Sequence, residues 1–161
     1  MRAPRLLAGA SGYSYKPWKG PFYPADLPDA DMLAYYAARL PAVEINNTFY
    51  RMPKTAVVEK WREQAGPGFT FVWKASQRIS HKAKLAGTDA IDSMQYLWKV
   101  AAPLGEQLGP VLIQTPPWLK KDAGLLREFL AGAFPAERGG RRIAFELASS
   151  SWDAEEIDQL L

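Results

Sequence analysis

Five polar residues lie in or at the end of apolar segments of this chain, and their types are those that carry out acid/base chemistry. They are Glu44, Asn46, Lys74, Gln114 and Glu146. Charged side chains are rarely buried without a partner, so we expect these residues to meet. A carboxylate can then act as general acid or base, Lys74 can stabilise a developing anion, and the amides can donate hydrogen bonds. The sequence therefore predicts one polar site, with Glu44, Lys74 and Glu146 as catalytic candidates.

Other residues are candidates for the same site. His81 is the only histidine and follows the third predicted strand, so it is either a general base or ligand, or an ordinary surface residue. The segment 13–28 combines aromatic residues with four prolines, which predicts a long loop. Its aromatic side chains either form a lid or wall over the site or only fill the space under the loop. The candidates for substrate binding are Tyr13, Trp18, Asn46, Asn47 and Gln114.

The same charged residues allow a structural interpretation. Glu44, Lys74 and Glu146 could form a buried ion-pair network that serves only the specificity of folding. Metal binding is disfavoured, because with one histidine and no cysteine a site would use carboxylates and water, which suits Mg²⁺ or Mn²⁺ rather than zinc. Ser11-Gly12 lacks the glycine spacing of a P-loop or dinucleotide fingerprint, and the sequence does not identify a cofactor.

Short apolar segments alternate with helical patterns, and this alternation positions the polar residues. The predicted strands are 5–10, 42–46, 69–74, 111–114 and 143–147. The predicted helices are 30–40, capped by Asp29 or Asp31; one from Thr55 to Gly66; 88–102; one capped by Asp122; and one begun by Asp153 with Glu156. Continuous apolar strands with helical crossovers predict a parallel sheet, either doubly wound or part of a (β/α)₈ barrel.

Strand ends and strand parity place the polar residues together. Active sites of parallel α/β folds lie at the carboxyl ends of strands, where these residues fall. Successive side chains of a strand point to opposite faces, so Lys74 shares a face with Val72 while Phe71 and Trp73 share the other. We expect the bulky face to pack on helices and the polar tips to face a barrel interior.

Composition bounds the class of protein. The 161 residues, 48% hydrophobic and 23% charged, predict one globular domain over 1–161. Absence of cysteine excludes disulfides and suits a reducing cytosol, so the expected location is cytoplasmic. No run approaches the ~20 apolar residues that cross a bilayer, so no membrane partner is expected.

The net charge of +3 does not argue for nucleic acid. The basic residues Lys120, Lys121, Arg138, Arg141 and Arg142 are interpreted as solvated surface. The charge therefore does not favour binding of nucleic acid or another phosphate polymer. Such binding stays an alternative function, in which Tyr13, Tyr15 and Trp18 would stack on the bases.

Several motifs in register resemble the YecE-like family, domain of unknown function 72. They are the segments 9–15, 43–51, 79–81 and 109–117, with Lys74 and with Phe145-Glu146 before Ser151-Trp152. The resemblance runs from residue 6 to the end of the sequence. It implies a barrel of the TIM type with polar residues gathered at the strand ends, and it implies no reaction.

Two departures from the family pattern matter. The family usually has an Arg-His pair after its fifth-strand Glu-Phe, where this sequence has Ala148-Ser149. A (β/α)₈ barrel also needs about 250 residues, so the resemblance implies an incomplete barrel of about five βα units. Because open parallel edges favour pairing, we expect either a truncated product or self-association.

Three functions follow from these observations. The first is an uncharacterised, enzyme-like barrel that binds a small polar or anionic ligand at its strand ends. The second is a nucleic-acid or phosphate-polymer binding module. The third is a truncated, non-catalytic remnant.

Overall fold

One or two helices follow each strand in the part of the chain that the computed structural model describes, residues 6–134 and 139–161. The strands are Gly9–Ser11 (β1), Ala42–Ile45 (β2), Thr70–Lys74 (β3), Leu108–Thr115 (β4) and Ile143–Leu147 (β5). The helices are Met32–Ala37 (α1), Asn47–Tyr50 (α2), Thr55–Ala65 (α3), Gly87–Ala101 (α4), Ala123–Ala133 (α5) and Glu155–Asp158 (α6).

Each strand pairs in parallel with the next, in the order β1-β2-β3-β4-β5. A doubly wound sheet reverses its strand order at one point, whereas a (β/α) barrel adds strands in sequence order. The described residues therefore form five successive βα units of the barrel type, and the predicted fold class is confirmed.

The two faces of the sheet differ as strand parity predicts. On the outer face, which the helices cover, the side chains of Phe71, Trp73, Val111 and Ile113 are fully buried. On the inner face the side chains at alternate positions, such as Val72, are only partly buried. Burial of the large outer-face side chains is the main source of stability, at roughly 1.5–3 kcal/mol for each.

The first strand differs from the prediction. The segment 5–10 was expected to be a strand, but β1 is Gly9–Ser11 and Leu6 is 94% exposed. Gly9 pairs with Ala42, the first residue of β2, and Pro41 precedes it. Proline cannot donate to a ladder, so the pairing begins at Gly9 rather than earlier.

Helix starts are predicted correctly in one case only. The Asp122 carboxylate accepts a hydrogen bond from the Leu125 amide (2.9 Å), which confirms it as the cap of α5. The other predicted caps are wrong: Thr55 is already inside α3, and neither Asp31 before α1 nor Asp153 before α6 makes a capping bond. Asp153 follows a 3₁₀ turn, Ser150–Trp152, and α6 begins too late for its carboxylate to cap it.

The predicted loop 75–87 contains ordered structure. Arg78–Lys82 forms a π-helical turn, and Lys84 and Leu85 follow with φ of 57° and 64°. Leu85 is buried, which holds this left-handed backbone in place. Short α2 was not predicted either, and both segments lie at the carboxyl ends of strands.

No helix in residues 6–134 and 139–161 is long and apolar enough to cross a membrane.

The two aspartates provide a matched test of capping. Asp122→Ala should lower the free energy of unfolding by about 1 kcal/mol, because the Leu125 amide loses its acceptor. Asp153→Ala should change it by less than about 0.5 kcal/mol, because this carboxylate caps nothing. Chemical denaturation of both variants measures the difference, and equal losses would contradict the assignment.

A polypeptide of these 161 residues should associate with itself. Among the described residues β1 and β5 each pair on one side only, and unpaired parallel edges attract further strands. Size-exclusion chromatography with light scattering measures the mass. A monomer that melts cooperatively would contradict this prediction.

Candidate functional site

The polar strand ends lie on the inner face of the sheet. The register pairs Ser11 with Glu44 and Glu44 with Val72. Two residues further along β3, and so on the same face, it pairs Lys74 with Leu112. The next pair on this face joins β4 to β5 through Gln114 and Glu146. The inner-face polar residues therefore follow a diagonal across the carboxyl ends of all five strands, which we call the strand-end site: Ser11, Glu44, Asn46, Lys74, Gln114 and Glu146.

One carboxylate of the strand-end site is held by a short chain of hydrogen bonds. The Ser11 hydroxyl donates to Glu44 Oε1 (2.8 Å). The Asn46 amide donates in turn to Ser11 Oγ. Within the described part of the chain the second oxygen of Glu44 has no hydrogen-bond partner. Glu44 is thus oriented by one oxygen and can offer the other to a ligand.

The second carboxylate is held in the same way. The Gln114 amide donates to Glu146 Oε1 (2.8 Å), and the two residues are register partners. The exposed Glu146 side chain also has one oxygen without a partner among residues 6–134 and 139–161. Each carboxylate is therefore oriented by a hydrogen bond from a neutral side chain. Such a donor fixes the position of the carboxylate but does not neutralise its negative charge.

Lys74 makes no ion pair with any residue in 6–134 or 139–161. The ion pairs between described residues are Lys19–Asp29 and Lys121–Glu156, so neither Glu44 nor Glu146 lies within 4.0 Å of the Lys74 ammonium group. The contact that the ammonium group makes is with the ring of Phe49, 5.2 Å from the centroid. The structural interpretation of these residues as a buried ion-pair network is therefore wrong.

His81 lies next to this cation. Its ring packs edge-on against Phe49 with centroids 5.1 Å apart, and its Nδ1 is 2.8 Å from the hydroxyl of buried Ser80. Burial lowers the pKa of His81 below 6.5, and the charge of Lys74 lowers it further. At neutral pH the imidazole is therefore uncharged and able to accept a proton.

A buried hydroxyl fixes the geometry of this corner. The side chain of Thr48 is fully buried, and its Oγ1 lies 2.8 Å from the Ile45 carbonyl and 2.6 Å from the Lys74 carbonyl. Thr48 thereby ties α2 to the ends of β2 and β3. Because Phe49 follows Thr48 directly, the same anchor places the ring against which Lys74 and His81 pack.

The aromatic loop makes its closest link to the site through one residue. Trp18 packs against Tyr15, Phe22 and Tyr23, with centroids 5.0–6.2 Å apart. The Tyr15 hydroxyl donates to the Ser11 carbonyl. Most of the loop is thus packed as an aromatic cluster on α1, and Tyr15 is the side chain that contacts the strand-end site.

Two other candidates lie elsewhere. Tyr13 is half-buried against Tyr36 (6.4 Å), and burial raises its hydroxyl pKa. Asn47 begins α2 and lines a cavity of about 520 Å³ together with Thr48 and Trp61. Three sets of contacts are therefore seen: Asn46 and Glu44 meet through Ser11, Gln114 binds Glu146, and Lys74 and His81 both pack on Phe49.

Sequence reasoning missed Ser11, Tyr15 and Phe49 as members of this region. Ser11 would have been found by the strand-end rule had β1 been placed at 9–11. The roles of Tyr15 and Phe49 depend on loop and helix geometry that no periodicity reveals. The Ala148-Ser149 segment is structural here, since the Ser149 hydroxyl accepts from the Ser151 amide at the start of a 3₁₀ turn.

The described residues contain no cluster of three or more His, Cys, Asp or Glu side chains that could hold a metal ion.

Sequence comparison relates this chain to a family. The model of the family described as "Protein of unknown function DUF72" matches residues 7–161. The UPF0759 protein YecE of Escherichia coli is 37% identical over 84 residues, which are 52% of this chain and 30% of that protein. The UPF0759 protein YunF of Bacillus subtilis is 30% identical over 112 residues, 65% of this chain and 40% of that protein.

Structural comparison gives the same fold. A DUF72 family protein from Thermotoga maritima superposes with a TM-score of 0.75 at 29% identity and covers 96% of this chain and 60% of its own. A DUF72 family protein from Enterococcus faecalis has a TM-score of 0.72 at 21% identity, with 95% and 54% covered. The chain thus spans less than two thirds of the relatives that it matches.

The single histidine makes the contact with Lys74 measurable. His81 should titrate below pH 6.5, and Lys74→Met should raise its pKa because one of the two causes of the shift is removed. Lys121→Met, whose ammonium group pairs with Glu156, should leave the pKa unchanged. NMR of the imidazole Cε1 proton measures all three, and identical midpoints would contradict the arrangement.

The same shift predicts a pH dependence of stability. A pKa that is lower in the folded than in the unfolded protein means that the unfolded chain binds the proton first. The contribution of His81 is therefore complete above pH 6.5 and is lost as the pH falls through the folded pKa. In His81→Gln the free energy of unfolding should depend less on pH below 6.5. An unchanged slope in denaturant titrations would argue against the shift.

Proposed function

This chain belongs to the DUF72 family of proteins of unknown function, and from its strand-end site we propose that it binds a small anionic ligand and is enzyme-like. Lys74 binds the negative group of the ligand. Glu44, Glu146 and His81 lie around it as candidate acid and base groups. The reaction class that suits this set is proton transfer on a ligand whose negative charge increases in the transition state.

The observation that carries the proposal is the unpaired ammonium group of Lys74. It is half-buried at the end of β3, with no carboxylate within 4.0 Å among the described residues. A partly desolvated cation without a counter-ion attracts an anion more strongly than a surface lysine does, because the effective dielectric constant is lower. His81, uncharged at pH 7, provides a proton acceptor beside this cation.

The hydrogen bonds of the carboxylates support the acid/base part of the proposal. Ser11 and Gln114 each bind one oxygen of a glutamate and are neutral, so they orient the carboxylates without neutralising them. A base must be held in position and must keep an accessible lone pair. Glu44 and Glu146 meet both conditions, and they lie at the strand ends where barrels of this type place catalytic residues.

The nucleic-acid alternative has less support. Lys121 pairs with Glu156, and Lys120 Nζ lies 3.5 Å from the Ser149 hydroxyl. Arg141 lies over the ring of Trp98, and Arg138 is outside the described residues. Lys120, Lys121 and Arg141 thus make contacts within the chain, which leaves them less available to a nucleic-acid backbone.

Inorganic phosphate is a suitable anion with which to probe Lys74. Lys74→Met should weaken phosphate binding by roughly tenfold or more, read from the shift of the His81 imidazole signals. Lys121→Met should bind phosphate as the unaltered protein does. Saturable binding that survives Lys74→Met would contradict the role of Lys74.

Glu44→Gln separates function from structure. Glutamine keeps an oxygen that accepts a hydrogen bond from Ser11, but it cannot act as a base. The free energy of unfolding of the variant should therefore fall by less than about 0.5 kcal/mol. Thermal denaturation measures the stability, and it does not require a known substrate. A loss of several degrees in Tm would favour a structural role for Glu44.

A further inference from the structure

A second cavity, of about 630 Å³, lies beside the strand-end site. It opens between the segment after β2, the π-helical turn after β3 and the first half of α4. Its charged and aromatic lining residues are Tyr50, Arg78, Lys82, Asp89, Asp92 and Tyr96. The volume is in the usual range for small-molecule sites. We call this the turn cavity.

The charges of the turn cavity come from two elements that face each other. Arg78 and Lys82 begin and end the π-helical turn. Asp89 and Asp92 are three residues apart on α4, so they share one face of that helix. The cavity therefore has two cationic side chains from one element and two anionic side chains from the other.

These four charges do not neutralise one another. In the part of the chain that the structure describes, the side chains of Arg78, Lys82, Asp89 and Asp92 make no ion pair and no hydrogen bond. Exposed charged side chains commonly lie in water without an ion-pair partner, so the lack of a partner does not by itself indicate a binding site. Here, however, opposite charges line a single concave site of ligand size without pairing across it.

Apolar surface completes the lining. The rings of Tyr50 and Tyr96 are 74% and 55% exposed, and Met52 lies at the wall of the same cavity. Exposed aromatic rings with a polar edge are favoured where a ligand has both apolar and polar parts. Together with the charges, this surface defines the chemistry that the cavity can recognise.

We propose that the turn cavity binds a small zwitterion, an amino acid with an aromatic or apolar side chain. Its carboxylate binds to Arg78 and Lys82, its ammonium group binds to Asp89 and Asp92, and its side chain packs against the tyrosines. A simple anion would leave the aspartates without a partner, and a simple cation would leave Arg78 and Lys82 without one. A zwitterion satisfies both sets.

The turn cavity is distinct from the strand-end site. Phe49 lies between them: its ring contacts Lys74 and His81, and it also contacts Tyr50 with centroids 5.0 Å apart. The lining residues follow β2 and β3, which are interior strands, and include none from either edge strand. The inference therefore goes beyond the proposed function and does not depend on it.

Three related compounds test the charge requirement: L-phenylalanine, 3-phenylpropionate and 2-phenylethylamine, which carry both charges, the negative charge alone and the positive charge alone. NMR of the Tyr96 ring reports on the cavity wall, because Tyr96 lines this cavity and not the cavity of about 520 Å³ that Met52 also lines. L-phenylalanine should give saturable shifts and bind roughly tenfold or more tightly than either of the others. Equal affinities, or no saturable shift with any compound, would overturn the proposal.

Two variants assign each charge to its side of the cavity. Arg78→Gln should weaken L-phenylalanine and 3-phenylpropionate but not 2-phenylethylamine. Asp92→Asn should weaken L-phenylalanine and 2-phenylethylamine but not 3-phenylpropionate. Lys121→Met, whose ammonium group pairs with Glu156 away from the cavity lining, should leave all three affinities unchanged. Both lining residues are exposed, so folding should persist in each variant. Effects that do not follow the ligand charge would contradict the assignment.

Discussion

Parallel register is the constraint on which the rest of this structure depends. Successive side chains of a strand face opposite sides, so a slip of one residue would move Lys74 from the inner face to the helix-covered face. That face buries Phe71 and Trp73 completely and leaves no room for an unpaired charge. Burial of the outer face thus fixes the register, and the register gathers the ammonium and carboxylate groups at one rim.

One buried hydroxyl then fixes the positions of the side chains around Lys74. Buried Thr48 binds the carbonyl groups of Ile45 and Lys74, and it places Phe49 between the strand-end site and the turn cavity. The Lys74 ammonium group meets an aromatic ring rather than a carboxylate as a result. A cation held in this way retains its capacity for an external anion, because a ring compensates less charge than a carboxylate does.

Much of the fold could be predicted from the sequence, because apolar strands and helical stripes repeat with clear periods. The inner-face positions of Glu44, Lys74 and Gln114 followed from strand parity and strand ends alone. The π-helical turn Arg78–Lys82 could not be predicted, because its backbone depends on burial of neighbouring side chains. The partner of each charged side chain could not be predicted either. The sequence is equally compatible with a Glu44–Lys74 ion pair and with the hydrogen bond that Glu44 accepts from Ser11.

The central claim is that Lys74 is not neutralised by the carboxylates of its own site. A double-mutant cycle on the free energy of unfolding, joining Lys74→Met with Glu44→Gln, tests it most directly. The arrangement predicts a coupling energy below about 0.5 kcal/mol, since the two groups do not form an ion pair. A coupling energy above about 1 kcal/mol would show that they do, and it would contradict the account.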